Sequence, residues 1–287
     1  MTPTRRGVLY VTAIIIVLAP PLLWLGVRLP KVARGPVAVP VSYAGEAAAT
    51  EAVSNDQLAE LAERDPVALV RRARERFERE VKSYRCVLVK QERIDDELTE
   101  VEQVEVRVRR DPLAIYMLWQ QNANEVKRAL FKTDPEYTDA DGNRLARIEP
   151  AGAIVRLFVT DIFMPIHGER ARKASRRSID ECGFGPTFAL MERYTTLAQK
   201  NGDLELNYSG TARVDGRPTF VIERYLPYTG EDGPYPDAKL VLHLDQGWLL
   251  PVAVETYADR EGKKLLGRYV FTKVELNPKF TERDFTF

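Results

Sequence analysis

The sequence predicts an α+β protein: one long, strongly curved antiparallel sheet packed by two or three helices. Three observations predict this class. Strand-like alternation recurs from residue 84 almost to the C-terminus. Turn signals such as Asp215-Gly216, Gln246-Gly247 and Glu261-Gly262 separate the runs, which favours hairpins over crossovers. Helical periodicity is confined to stretches such as 54–82 and 186–201.

The chain opens on "VLYVTAIIIVLAPPLLWLGV" (8–27), which holds no charged residue and lies between Arg5-Arg6 and Arg28. About 20 apolar residues span a bilayer core as a helix. Pro20-Pro21 would kink such a helix, which a membrane span tolerates, and Trp24 near one end suits an interface. Residues 1–28 read as an N-terminal transmembrane anchor or uncleaved signal, since a cleaved signal wants a shorter apolar core. A single span of this kind places the protein in the cell membrane with its C-terminal domain on the extracytoplasmic, periplasmic side. Residues 29–53 are rich in Pro, Ala, Val and Gly and read as a flexible tether. The folded unit is expected over 54–287.

Asp65-Pro66 supplies a helix cap and a first-turn proline. Leu69, Ala73, Phe77 and Val81 then form an apolar stripe. "YRCVLVKQERI" (84–94) is strand-like. In 104–110, Val104, Val106 and Val108 alternate with charged residues, as in a strand buried on one face. "PLAIYMLWQ" (112–120), "NEVKRALFK" (124–132) and "DADGNRLARIEP" (139–150) continue the meander. "IVRLFVTDIFMPIHG" (154–168) reads as a short helix or an apolar loop. "ERARKASRR" (169–177) is a basic loop, and 186–201 form a second amphipathic helix. Strands follow at 202–214, 217–226, 238–245, 249–258 and 264–276. The runs 112–119 and 264–271 are apolar on both faces, which a sheet needs when both faces are covered or one lines an apolar cavity.

Composition removes several function classes. Lys+Arg and Asp+Glu both total 42, so no net charge draws the chain to nucleic acid. Cys86 and Cys182 are too few for a disulfide scaffold, although outside the cytoplasm they are candidates to pair with each other. A Cys–His nucleophile pair would need His167 or His243 beside one of them. No phosphate-cradling loop, hydrolase elbow or metal-ligand spacing occurs, so no catalytic residue, metal or cofactor is expected. Glu92, Asp95, Asp96 and Glu97 read as a solvated acidic turn, and "DADG" (139–142) as a hairpin turn.

The ending carries a resemblance. Tyr269, Phe271, Val274, Leu276, Asn277, Pro278, Phe280, Asp284 and Phe285 fall in a pattern that, with the order of elements, resembles the LolA-like superfamily. That group includes a periplasmic lipoprotein carrier, its outer-membrane receptor and a sensor of envelope stress. "SYRCVLVKQERI", "VEVRVRRDPLAIYMLW" and "NEVKRALF" are similar to an uncharacterised bacterial family of exported proteins. The resemblance covers about 66–287. It implies a half-open barrel with helices as a lid over an apolar cavity, and Phe280, Phe285 and Phe287 sealing a barrel edge or covering the core.

On this reading the chain is a membrane-anchored protein that binds an acyl chain or lipoprotein lipid without catalysis. The alternative is an envelope sensor or scaffold that binds another protein. The candidate lining residues are Leu113, Ile115, Met117, Trp119, Phe131, Leu190, Phe220, Leu240, Leu242, Val270 and Phe271. Arg170, Arg172, Lys173, Arg176 and Arg177 are candidates to meet anionic head groups beside the cavity mouth.

Overall fold

Asp65 ends one helix and starts the next. Its carboxylate accepts from the Ala68 backbone N–H at 2.8 Å, and Pro66 occupies the first helical position. The helices on either side are α1 (Asp56–Arg64) and α2 (Pro66–Glu80). In the computed structural model, which describes residues 37–43, 56–151 and 161–287, these residues all fall within one compact unit, Val32–Phe287. The expected membrane span and most of the expected tether lie outside the described residues, as do 154–160. Among the described residues no helix is long and apolar enough to cross a membrane.

The strands are β1 (Val41–Tyr43), β2 (Ser83–Ile94), β3 (Glu97–Leu98), β4 (Glu102–Arg110), β5 (Leu113–Gln121), β6 (Val126–Lys132), β7 (Leu145–Pro150) and β8 (Ile162–Pro165). After the helices α3 (Glu169–Ala174) and α4 (Phe184–Asn201) come β9 (Glu205–Val214), β10 (Arg217–Tyr225), β11 (Lys239–Asp245), β12 (Pro251–Tyr257) and β13 (Leu265–Leu276). They form one antiparallel sheet in the order β1-β9-β10-β11-β12-β13-β2-β4-β5-β6-β7-β8, with β3 paired to β2 alone. The sheet is unclosed, with β1 and β8 at its ends. Class and meander are those expected from the sequence, with four α-helices among the described residues.

Period-two alternation divides the faces. Cys86, Leu88, Val104, Val106, Ile115, Met117 and Phe131 point to one side and join Leu69, Phe77, Phe184 and Phe188 of α2 and α4 in the main core. Ala114, Tyr116 and Leu130 point to the other side, where Phe285 packs on them with Phe280 and Phe287 beside it. This explains why β5 is apolar on both faces. The terminal phenylalanines cover the far face of the sheet's middle. They do not seal an edge, because β5 and β6 are internal strands.

Arginines complete that cover. Arg109 stacks on the Phe285 ring at 5.1 Å, and Arg128 and Arg147 lie over Phe287 at 4.7 and 4.8 Å. Asn277 anchors the tail's start. Its side chain accepts from the Lys82 and Ser83 N–H groups at 2.7 and 3.3 Å and donates to the Glu80 carbonyl at 2.9 Å.

Three local readings need correction. Residues 41–43, expected in the tether, pair with β9, and Val37, Val39 and Val41 pack on the core. Their alternation is a strand signal that a Pro-rich composition masks. Residues 162–165 form a strand, and 169–174, expected as loop, form the short helix α3. Glu92 is not part of a solvated turn. Asp95 and Asp96 make that turn with positive φ of 48° and 66°, while Glu92 faces inward and is 1% exposed.

Candidate functional site

The strand register places a polar row across one end of the inner face. Arg224 on β10 lies opposite Leu240, Leu240 opposite Thr256, and Thr256 opposite Gly267. Gly267 lies opposite Glu92, and Lys90 lies between Tyr269 and Glu102. Two residues further along the strands, Leu88 and Phe271 begin an apolar floor. Over this floor sits a cavity of about 160 Å³, with Met117, Ala129, Ile148, Leu190 and Met191 also on its wall.

The cover runs from α3 to the start of α4. Ala171, Ala174, Ser175, Ile179 and Cys182 contribute to the lining. No residue from 167 to 182 is buried. The cover is held chiefly by polar contacts. The Ser175 hydroxyl bonds Glu92 Oε2 at 2.8 Å, and Arg144 and His167 reach Asp180 at 3.4 and 3.3 Å. Where the cover becomes α4, Gly183 has φ of 104°, and a Cβ there would lie 1.9 Å from the Tyr84 hydroxyl oxygen. Only glycine fits so close an approach.

The polar row is a buried charge network. The Lys90 ammonium sits 2.8 Å from Glu92 and 3.1 Å from Glu102. Tyr269 donates to Glu92 at 2.7 Å, and the Trp119 indole donates to Glu102 at 3.0 Å. Burial pulls the Lys90 pKa down, but the two carboxylates outweigh it and leave it above the usual lysine value. Burial pushes Glu92 up; Lys90, Tyr269 and Ser175 overcome that and hold it below the usual carboxylate range. Arg224, fully buried, donates to both Asp237 oxygens at 3.1 Å.

Of the candidate lining residues, Met117, Trp119, Leu190, Leu240 and Phe271 line the cavity. Ile115, Phe131, Phe220, Leu242 and Val270 are buried in the core outside the lining, and Leu113 is partly buried against it. The basic residues split up. Arg177 lines the cavity. Arg176 pairs with Glu231 and Lys173 with Glu169, while Arg172 donates to the His167 carbonyl. Arg170 is exposed. Sequence reading missed Lys90, Glu92, Glu102, Arg224 and Asp237. A signal existed for the first two: they continue the inward phase of Tyr84, Cys86 and Leu88.

His243 and the two cysteines are not poised for nucleophilic chemistry. Burial lowers the His243 pKa to about 4, so its imidazole is neutral at pH 7. Cys86 and Cys182 are free thiols, and burial raises both, Cys182 to about 12. Among the described residues no group of three or more His, Cys, Asp or Glu side chains could hold a metal ion. The "DADG" segment is the expected turn, with Asp139 accepting from Asn143 N–H at 2.8 Å.

A family model described as "Protein of unknown function (DUF1571)" matches residues 81–287. No curated protein matches the chain. Among solved structures, it is similar to MucB at 17% identity and a TM-score of 0.48, over 78% of this chain and 62% of MucB. The chain thus spans less than two thirds of that protein, which is also matched in its Pseudomonas aeruginosa complex with MucA. It is similar to the Mycobacterium tuberculosis lipoprotein LppX at 16% identity and a TM-score of 0.40, over 79% of this chain and 99% of LppX. A LolA superfamily protein from Nitrosomonas europaea matches at 12% identity and a TM-score of 0.26, over 77% of this chain and 97% of that one.

Proposed function

We propose that this chain, which belongs to the DUF1571 family of proteins of unknown function, is a membrane-anchored extracytoplasmic protein that holds an acyl chain or lipoprotein lipid in a half-barrel cavity, without catalysis. The observation that carries this reading is the 160 Å³ cavity on the apolar inner face of an unclosed sheet. A dry apolar cavity of roughly 150 Å³ accommodates a benzene-sized group. A cavity of this volume therefore takes a chain segment of about six carbons. A longer chain extends beyond it or displaces the cover. With no buried residue from 167 to 182, the cover belongs to the class of segments that open at low cost. The exposed cation Arg170 on α3 would then face anionic head groups at the cavity mouth. The high thiol pKa values and the neutral His243 favour binding over covalent chemistry.

The test is uptake of the neutral fluorophore N-phenyl-1-naphthylamine by the full chain and by Ala129→Trp, which fills the cavity from β6. Uptake by the wild type and its loss in a folded variant are expected. Equal uptake by both would place the dye elsewhere and end the reading. If Ala129→Trp does not fold, Ala174→Trp fills the cavity from the half-buried cover instead.

A further inference from the structure

The foot of the cover stands over a second thiol. Cys86 lies on the inner face of β2, buried, with Tyr84 two residues before it and Leu88 two residues after it on the same face. Leu88 is opposite Phe271 on β13. The Phe184 ring rests on both ends of this row, 4.6 Å from the Tyr84 ring and 5.0 Å from that of Phe271. Its backbone N–H donates to the Tyr84 hydroxyl at 3.3 Å. The start of α4 is therefore fixed above Cys86, and Cys182 precedes Phe184 with only Gly183 between them.

Cys182 packs on the core that holds Cys86, and it lines the cavity beside Leu88 and Lys90. Burial, and after it the neighbouring Cys182, hold the Cys86 pKa up. Burial also raises Cys182, and the charges it feels are those of Lys90 and Glu92. Cys182 thus lies over the inner face of β2, between Cys86 and the charge network. A disulfide needs the two Cα atoms within about 7 Å. Cys86 keeps its place, on a strand hydrogen-bonded on one side to β13 and on the other to β4. The partner that shifts is Cys182, on a cover with no buried residue from 167 to 182.

We infer that Cys86 and Cys182 are a redox pair whose disulfide ties the foot of the cover to the floor of the cavity and slows its opening. The oxidant is an external disulfide, which the extracytoplasmic placement proposed above would supply. Lifting of the cover brings Cys182 into water, where its thiol ionises more readily. The Cys182 thiolate attacks the donor disulfide, forms a mixed disulfide and releases one donor thiolate. As the cover returns, the Cys86 thiolate attacks the Cys182 sulfur and expels the second donor thiolate. Two electrons pass to the donor, and the two protons given up by the cysteines end on its two thiols.

The test starts from the full chain reduced with dithiothreitol. One sample is moved folded into oxidised glutathione, and a second is refolded from urea into the same buffer, because the closed cover slows the reaction. Both are alkylated in urea with iodoacetamide and mapped by peptide mass spectrometry without reductant. Cys86 and Cys182 should appear in one linked pair of peptides, lighter by two hydrogen atoms than the dithiol. Hydrogen exchange over 169–182 should slow by at least about tenfold in the linked protein and stay unchanged in β5. Two free thiols in both samples, or glutathione retained on Cys182 beside a free Cys86, would overturn the pairing. A linked pair with unchanged exchange over 169–182 would overturn the lock. Neither readout uses a ligand, so this inference stands or fails apart from the acyl reading.

Discussion

Replacing Lys90 by methionine removes the ammonium from the charge network while keeping most of its apolar volume. The side chains of Lys90, Glu92 and Glu102 are 8%, 1% and 10% exposed, so water cannot take over its role. Two ionised carboxylates would remain in one wall, each with only neutral donors: Tyr269 and Ser175 for Glu92, Trp119 for Glu102. Stranding a buried charge in this way costs about 3–5 kcal/mol. At roughly 2–4 °C per kcal/mol for a domain of this size, Tm should fall by about 6–20 °C. Urea unfolding at pH 7 measures the loss directly.

The pH dependence of that loss carries a sign. In the wild type the Glu92 pKa is depressed, so its contribution is full above the usual carboxylate range and is lost as the pH falls through the lower folded value. In Lys90→Met the Glu92 carboxylate loses the cation that holds its pKa down, so it protonates at higher pH, which relieves the repulsion. The gap between wild type and variant should therefore narrow from pH 7 to pH 4. Lys90→Met with Glu92→Gln and Glu102→Gln leaves no net charge and should recover most of the stability. A loss below about 1 kcal/mol for Lys90→Met, the scale of an exposed pair, would refute the argument.

Phe285→Ala should cost about 3–5 kcal/mol in urea unfolding and leave dye uptake unchanged, since Phe285 is buried on the face opposite the cavity. Ser175→Ala removes the cover's hydrogen bond to Glu92; hydrogen exchange should quicken over 169–182 and stay unchanged in β4 and β5. Kept reduced, Cys86 should resist iodoacetamide at pH 8 until the protein unfolds, because burial holds it as a thiol. Peptide mass spectrometry reads the labelling, and rapid native modification would contradict the burial of its sulfur.

The meander was legible because its signals are local. Alternation over 104–110 and positive-φ turns such as Asp215-Gly216, with φ of 50° and 76°, fix strands and hairpins within a few residues. The two-faced apolar strand β5 implied that both faces are covered or that one lines an apolar cavity; Met117 and Trp119 line the cavity while the outer face is covered. What covers its outer face comes from residues 280–287, more than 150 positions away, and no local pattern assigns them to one face of an internal strand. The cavity was legible only as a class. Five of eleven candidate lining residues pack into solid core and a sixth, Leu113, packs against it, because a strand's parity tells inside from outside and does not tell filled from empty. The charge network escaped because Lys90 and Glu92 are residue types that usually face water. Their phase with Tyr84, Cys86 and Leu88 pointed inward, and here phase outweighed type.

The claim that the sheet and its cover enclose an acyl site is tested most directly by native mass spectrometry of the full chain purified from cells, followed by extraction and identification of any bound lipid. The account predicts one acyl-bearing molecule per chain, displaced when Ala129→Trp fills the cavity. A chain that flies without such a molecule, and acquires none on incubation with methyl hexanoate, would contradict it.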